Sequence, residues 1–152
     1  MLYLMITVIK SSFLQHKLTI LRNKKTSNTV FRQTMNEASY LIAAEVLKYL
    51  KYKKTTIETP LKKMQGLIIG QPIILVPILR AGLGLLEGFG KFLPDAEKGH
   101  IGLYRDEQTY EPVEYLFKLP KPKNKKIIIL DPMLATGNSS IAAINLIKNK
   151  GV

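Results

Sequence analysis

The fold of this chain is indicated by the segment Ile127-Ile-Ile-Leu-Asp-Pro-Met-Leu-Ala-Thr-Gly-Asn-Ser-Ser140. Its four apolar residues 127–130 predict a strand that is buried on both faces. A helix is predicted from about Ser139 to Asn149, with Gly151 as its C-terminal stop. A buried strand that leads through a short loop into a helix is the repeating unit of α/β proteins with a parallel sheet.

The preceding sequence contains more elements of the same kind. Apolar runs or alternation predict four further strands, at 53–60 (an edge strand), 73–78, 100–104 and 113–119 (half of an exposed hairpin). Helical spacing predicts an amphipathic helix over about 30–50, with its N-cap within 26–29, and a second helix that ends near Phe92. We therefore expect an α/β fold whose mostly parallel sheet is flanked by helices.

Composition excludes several classes of site. The chain has no cysteine, which excludes disulfides, cysteine-bound zinc, iron–sulfur clusters and a cysteine nucleophile. His16 and His100 are the only histidines and leave little for a histidine-based metal site.

The apolar stretch Met1–Ile9 is too short to span a bilayer and lacks the flanks of a signal peptide. We expect a soluble cytoplasmic protein of one domain, with residues 1–12 as a strand or strap packed on the core.

The positive charge of the chain comes mainly from lysine. Lysine and arginine total 23 against 11 acidic residues, which gives a formal net charge of +12. Only four of the 23 are arginine, and the lysines are spread along the chain without the interleaved aromatic residues of a single-strand nucleic-acid site. Solvated lysines are therefore favoured over nucleic-acid binding, although the charge itself would permit a polyanionic partner.

The loop after residues 127–130 has the composition of a phosphate site. The N-terminus of the following helix offers unpaired N–H groups and a partial positive charge. Thr136, Ser139 and Ser140 add hydroxyl donors, and Gly137 tolerates a tight backbone conformation. Asp131, at the carboxyl end of the strand, is suited to accept hydrogen bonds from sugar hydroxyls. An ordinary strand–turn–helix connection is the alternative, and spacing alone favours neither.

Two of the four arginines follow predicted strands. Arg80 follows the strand at 73–78 and precedes Gly82 and Gly84, and Arg105 follows the next buried strand. A guanidinium presents a planar set of donors that suits pyrophosphate, and the glycines would let such a ligand approach the backbone. Because the chain otherwise uses lysine almost throughout, arginine at these two places indicates a specific role. Surface arginines beside a helix start are the alternative.

These motifs together resemble the uracil phosphoribosyltransferase family. The resemblance lies in Pro77-Ile-Leu-Arg-Ala-Gly-Leu-Gly84, His100-Ile-Gly-Leu-Tyr-Arg-Asp106 and Asp131-Pro-Met-Leu-Ala-Thr-Gly137, with shorter matches at Gln15–Thr19, Glu58–Pro60 and Glu111–Tyr115. The motifs occur in the family's order over residues 13 to 152, which leaves 1–12 outside. Proline after Asp131, where other branches tend to have a second acid, indicates the uracil branch.

The resemblance implies a reaction and the residues that carry it. The family transfers ribose 5-phosphate from 5-phosphoribosyl 1-diphosphate (PRPP) to N1 of uracil, giving UMP and diphosphate in pyrimidine salvage, with Mg²⁺ held mainly through PRPP and water. By resemblance, the catalytic residues are Arg80, Arg105 and Asp131. The same three residues bind PRPP together with the loop residues Pro132, Met133, Leu134, Ala135, Thr136, Gly137, Asn138 and Ser139. The segment 105–118 would form a hood that limits attack by water.

Two departures from the family pattern affect these expectations. Asn138 stands where the family usually has a second glycine, and it brings a side chain close to the phosphate. The family also continues with further strands and a Gly-Asp-Ala segment that recognises uracil. We therefore expect a C-terminally truncated, incomplete domain over 1–152 that has no uracil-binding residues and forms no UMP alone.

Other functions remain open from the sequence. A non-catalytic protein of the same fold that senses PRPP or binds RNA is the main alternative, and the product of a decayed gene is another. Some family members are activated by GTP, and the family forms dimers and sometimes tetramers, so a GTP effector and a homo-oligomer are expectations of the resemblance. We expect no membrane partner.

Overall fold

A computed structural model describes residues 6–106, 108 and 111–150, and it contains helices and strands in alternation. In chain order the elements are α1 Ser12–Arg22, α2 Asn28–Leu47, β1 Tyr52–Glu58, β2 Lys63–Ile69, β3 Ile73–Leu79, α3 Leu83–Phe92, β4 Glu97–Lys98, β5 His100–Arg105, β6 Pro112–Lys118, β7 Lys126–Leu130 and α4 Asn138–Asn149. None of the helices in this part of the chain is both long and apolar enough to cross a membrane.

The main sheet is built around β3, which is buried along almost its whole length. On one side β3 pairs in parallel with β7, over Ile73–Pro77 against Lys126–Leu130. β3 also pairs in parallel with β4 and, further along, with β5. β4 and β5 are consecutive strands separated by Gly99, whose N–H donates to the carbonyl of Leu75 in β3. β6 returns antiparallel to β5. This arrangement confirms the expected α/β fold with a mostly parallel sheet and an antiparallel hairpin at one side.

Alternate side chains of β3 enter two separate cores, because successive residues of a strand point to opposite faces. Ile73 and Leu75 pack with the helices α2 and α3, in a cluster that includes Phe89. Ile74 and Val76 belong to the second cluster, which contains residues of α4. The helices therefore cover both faces of the sheet. A strand buried on both sides has to be apolar at every position, and this explains its continuous apolar run.

The predicted elements correspond to observed ones, with some differences. The helix expected over 30–50 is α2, and its N-cap is Ser27, whose hydroxyl accepts from the N–H of Val30 at 3.4 Å. The strand expected at 53–60 is β1, but it is not an edge of the main sheet. It pairs with β2 in a separate two-stranded sheet, named here the β1–β2 hairpin. The elements α1, β2 and β4 were not predicted.

The N-terminal segment differs most from expectation. Residues 6–10 form neither helix nor strand, and Ile6 and Val8 are 81% and 72% exposed. The prediction that this segment packs on the core is therefore wrong for these residues. Residues 1–5, like Gly151, the predicted helix stop, lie outside the described residues.

Candidate active site

A cavity of about 270 Å³ lies where three strands of the main sheet end. Its wall is formed by residues of the three predicted site segments, namely Ile78, Leu79, Arg80, Ala81, Leu103, Arg105, Asp131, Met133, Ala135, Thr136, Gly137, Asn138, Ser139 and Ser140. The strands β3, β5 and β7 run parallel, so their carboxyl ends meet at one edge of the sheet. Ligands of open α/β sheets bind at this edge.

Arg80 and Arg105 bring positive charge to the cavity. Arg80 directly follows β3, through a cis peptide bond with Leu79, and Arg105 is the last residue of β5. Both side chains are exposed, and among the described residues no carboxylate lies within ion-pair distance of either guanidinium. Two guanidiniums without an internal counter-ion form a site suited to a multiply charged anion.

Gly82 and Gly84 do not line this cavity, contrary to the expectation that they open the backbone to a ligand. A Cβ at Gly82 would lie 2.4 Å from the carbonyl oxygen of Leu130, and one at Gly84 would lie 2.9 Å from Cγ of Met35. The two glycines therefore allow the start of α3 to pack closely against β7 and α2. Their effect on the site is indirect, because this packing fixes where Arg80 lies.

Asp131 is held by one hydrogen bond at each of its carboxylate oxygens. Oδ1 accepts from the backbone N–H of Met133 at 3.2 Å, and Oδ2 accepts from the hydroxyl of Ser140 at 3.0 Å. The side chain is half-buried at the end of β7 and lines the cavity. Each carboxylate oxygen has a further lone pair that can accept from a ligand hydroxyl.

The N-terminus of α4 opens onto the same cavity. Its N-cap is Gly137, with φ +81°, a backbone conformation that side chains other than glycine rarely adopt. No side chain caps the helix, and its first turn contains no acidic residue. The N–H of Asn138 lies 3.5 Å from the hydroxyl oxygen of Thr136. An uncapped helix start of this kind has the free N–H groups and the positive potential that bind phosphate.

Most of the residues predicted from sequence meet at this cavity. Arg80, Arg105, Asp131 and six residues of the 133–139 segment line it, whereas Pro132 and Leu134 do not. Leu134 is 69% exposed, so its side chain points away from the body of the protein. The bond between Ser140 and Asp131 was not predicted. Sequence shows that the hydroxyl is present, but its target depends on the direction in which α4 leaves the loop.

The segment predicted as a hood begins beside the cavity at Arg105. β5 and β6 form an antiparallel hairpin, with Arg105 opposite Pro112, and the N–H of Asp106 donates to the carbonyl of Glu111 at 3.0 Å. Residues 107, 109 and 110 of the predicted hood lie outside the described residues.

A larger cavity, of about 490 Å³, lies at the opposite end of β3. Its lining is mostly apolar and includes Lys53, Phe92 and Asp95, but none of the predicted site residues. Size alone would favour it as the binding site. The smaller cavity is favoured by the convergence of a carboxylate, a helix N-terminus and two arginines that pair with no described carboxylate, because these groups together suit an anionic sugar.

Comparison with known proteins identifies the family of the chain. The family model described as uracil phosphoribosyltransferase matches residues 8–152. The uracil phosphoribosyltransferases of Rhizobium rhizogenes (strain K84) and Legionella pneumophila (strain Lens) are each 50% identical to the chain. The matches cover 96% and 94% of this chain, and 71% and 68% of the two relatives.

Two solved structures superpose on the chain. The protein AQ2163 of Aquifex aeolicus superposes with a TM-score of 0.86 at 34% identity, covering 97% of this chain and 72% of that one. A purine phosphoribosyltransferase of Pyrococcus horikoshii superposes with a TM-score of 0.56 at 17% identity, over 78% of this chain and 66% of that one, and so shares the fold. From the matched family model and these relatives, the chain belongs to the uracil phosphoribosyltransferase family.

Proposed function

We propose that this chain carries the PRPP-binding part of a uracil phosphoribosyltransferase. The reaction joins uracil and PRPP to give UMP and diphosphate, as a step of pyrimidine salvage. The observation that carries the proposal is the convergence, on one cavity, of Arg80, Arg105, Asp131 and the uncapped start of α4. These are the groups needed to hold a diphosphate, a ribose and a 5′-phosphate at the same time.

Each part of PRPP has a matching group in the proposal. The N–H groups and hydroxyls of Thr136–Ser139 bind the 5′-phosphate, and Asp131 accepts hydrogen bonds from the ribose hydroxyls. Arg80 and Arg105 bind the diphosphate through charge-assisted hydrogen bonds. Met133 and Ala135, which lie between Asp131 and Thr136 in the chain, also line the cavity.

The reaction does not require a nucleophilic side chain. Loss of diphosphate from C1 of the ribose leaves a sugar with oxocarbenium character, which uracil N1 then attacks. The protein has to hold the reactants in line and to stabilise the negative charge that develops on the leaving diphosphate. Two guanidiniums that pair with no described carboxylate supply that stabilisation. The hairpin of β5 and β6, whose first strand ends at Arg105, is positioned to restrict water.

The residues of the cavity fit a Mg²⁺ ion that is held mainly by the substrate. Asp131 is the only carboxylate among the described lining residues, and no described group of three or more His, Asp or Glu residues could hold a metal ion. Mg²⁺ prefers oxygen ligands, keeps several waters and is commonly bound through substrate phosphates. In the proposal it neutralises charge on the diphosphate, beside the two arginines.

Titration of the purified chain with PRPP and Mg²⁺ tests the proposal. We expect binding, and we expect Arg80→Ala and Asp131→Ala each to weaken it by about tenfold or more, since each removes hydrogen bonds in which one partner is a charged side chain. Arg22→Ala is the matched control, because Arg22 lies in the last turn of α1 and does not line the cavity. Equal affinity of Arg80→Ala and Arg22→Ala for PRPP would refute the assignment of Arg80.

We also propose that the chain forms a homo-oligomer through the β1–β2 hairpin. This two-stranded sheet is separate from the main sheet and exposes a set of large apolar side chains, Tyr52, Ile57, Leu61, Met64, Leu67, Ile68 and Ile69. An isolated hairpin of this kind is only marginally stable in water.

A GTP effector and a cytoplasmic location complete the proposal. The effector rests on the family resemblance, and the location rests on the absence of cysteine.

A further inference from the structure

Among the residues that the structure describes, Ser140 is the one side chain that bonds to the predicted ribose-binding acid. It lies in the first turn of α4, and its hydroxyl donates to Oδ2 of Asp131 at 3.0 Å. A polar residue at this position of a helix commonly reaches back to the N-cap backbone. Here the N-cap is Gly137, and the hydroxyl of Ser140 is directed instead to the end of β7.

This bond completes the orientation of the Asp131 carboxylate. The N–H of Met133 already holds Oδ1 at 3.2 Å, and with Oδ2 also held, rotation of the carboxylate would break one of the two bonds. One acceptor position remains on each oxygen, and these two positions are then fixed in direction. A pair of neighbouring hydroxyls, as on a ribose, is the ligand that such a pair of acceptors selects.

The same bond joins two parts of the site that the chain connects only loosely. Between Asp131 and Ser140 the chain runs through the loop, whose Met133 and Leu134 are 76% and 69% exposed. These side chains add little packing that would hold the loop in place. The Ser140–Asp131 bond therefore ties the phosphate-binding start of α4 directly to the sugar-binding end of β7.

We propose that Ser140 is a positioning residue that fixes the distance and direction between the 5′-phosphate site and the ribose site. This inference rests on the proposed function, because it assigns the two sites that Ser140 connects. Ser140 lines the cavity, but its hydroxyl donates to Asp131. Its effect is transmitted through Asp131, and so it applies only to ligands that occupy both sites at once.

Two ligands of different size separate this role from a general effect on the loop. Ribose 5-phosphate spans both sites, whereas inorganic phosphate occupies only the start of α4. For Ser140→Ala we expect an affinity for ribose 5-phosphate about tenfold weaker and an affinity for inorganic phosphate within about twofold of the unchanged chain. Isothermal titration calorimetry of the full chain measures both, and circular dichroism shows whether the variant is folded.

Two further variants complete the experiment. Ser140→Thr keeps the hydroxyl and is expected to restore ribose 5-phosphate binding to within about threefold. Thr56→Ala removes a hydroxyl that accepts from Gln65 at 2.9 Å on the β1–β2 hairpin, and it should leave both affinities unchanged.

The outcomes distinguish this inference from the function on which it rests. If the unchanged chain binds neither PRPP nor ribose 5-phosphate, the proposed function fails, and the role of Ser140 fails with it. If the unchanged chain binds both ligands and Ser140→Ala binds ribose 5-phosphate equally well, only the role of Ser140 is overturned. Parallel weakening of phosphate and ribose 5-phosphate would also overturn it, because Ser140 would then support the loop as a whole.

Discussion

At the scale of single residues, the chemistry of the site depends on a few groups at strand ends. Asp131 and Arg80 directly follow buried strands, and Arg105 ends one. Sequence was enough to identify them, because a charged residue next to an apolar run has to lie at the edge of a sheet. Sequence was not enough to show that Ser140 bonds to Asp131, since this depends on a side-chain rotamer and on the path of the loop.

Asn138 allows a residue-scale test in which stability and binding change in opposite directions. Asn138→Asp places a negative charge at the start of α4. We expect stabilisation of about 0.5 kcal/mol from the helix dipole, together with at least tenfold weaker PRPP binding from repulsion of the phosphate. Urea unfolding and PRPP titration measure the two effects.

Asn149→Asp is the control for this prediction, because it makes the same change at the other end of the same helix. There the charge should destabilise by a similar amount and leave PRPP binding unchanged. PRPP binding that is unaffected by Asn138→Asp would show that the phosphate does not occupy the start of α4.

At the scale of elements, the contact between α2 and α3 is a close helix packing. A Cβ at Gly88 would lie 2.1 Å from the Oγ of Ser39 and 2.6 Å from its carbonyl carbon, and Ser39 is fully buried. Gly88 therefore allows the two helix backbones to approach each other. Because α3 begins just after Arg80, this packing also supports the cavity.

Gly88→Ala should destabilise the protein by about 1–3 kcal/mol, because the added methyl group has no space and the helices must separate. Gly90→Ala, in the same helix, should instead stabilise by about 0.5–1 kcal/mol, because a Cβ there meets no atom within 4 Å and alanine favours the helix. Thermal or urea unfolding of the two variants measures the difference. Equal effects would contradict the close α2–α3 packing.

The contact between α1 and α2 gives a prediction about pH. The hydrogen bond from Lys17, followed by that from Gln33, lowers the pKa of Glu37 below its ordinary value of 4.5. A carboxyl whose pKa is lower in the folded state stabilises that state above its ordinary pKa, and this contribution is lost as pH falls through the lowered value. Glu37→Gln should therefore be less stable than the unchanged chain at neutral pH.

The stability difference should narrow as the solution is acidified below pH 4.5 and close as the pH falls through the lowered pKa of Glu37, and unfolding curves at several pH values measure it. In a Lys17→Met background the substitution Glu37→Gln should have a smaller effect at neutral pH, because the ion pair of 2.6 Å is already absent. A constant difference at all pH values would mean that the pair contributes nothing to folding.

The elements differ in how far sequence could predict them. β3 and β7 were predictable as strands from their continuous apolar runs. β3 is buried along almost its whole length, but Ile127, Ile128 and Ile129 of β7 are only half-buried, so the expectation that β7 is buried on both faces was wrong for these three residues. β2 was not predictable, since Lys63–Ile69 mixes polar and apolar residues and is exposed along nearly its whole length. The separate pairing of β1 with β2 is a property of two segments together, and neither segment alone contains the signal.

At the scale of the whole molecule, the distribution of charge and apolar surface separates two kinds of contact. Lys17, Lys48, Lys125 and Lys150 are paired with glutamates, so part of the positive charge is neutralised within the protein. The exposed apolar residues of the β1–β2 hairpin have no comparable internal partner among the described residues, and they support the proposed oligomer.

Leu67→Asp tests that assembly. Leu67 is 68% exposed on β2, and a charge there should shift the sedimentation coefficient of the chain toward that of a monomer. Val30→Asp is the control, because it makes the same change at an exposed apolar residue of α2, where the assembly should persist. A sedimentation coefficient that Leu67→Asp leaves unchanged would exclude the hairpin as the interface.

The position of β7 in the sheet has a consequence for the exchange of backbone hydrogens with solvent. Among the described residues, β7 pairs only with β3, so its N–H groups alternate between those that face β3 and those that face outward. The inward amides are protected by ladder hydrogen bonds, while the outward ones exchange at rates closer to those of an open chain. β7, which directly precedes Asp131, thus has protected and rapidly exchanging amides at successive residues. If a second polypeptide paired with the outer edge of β7, this alternation in exchange rates would be lost.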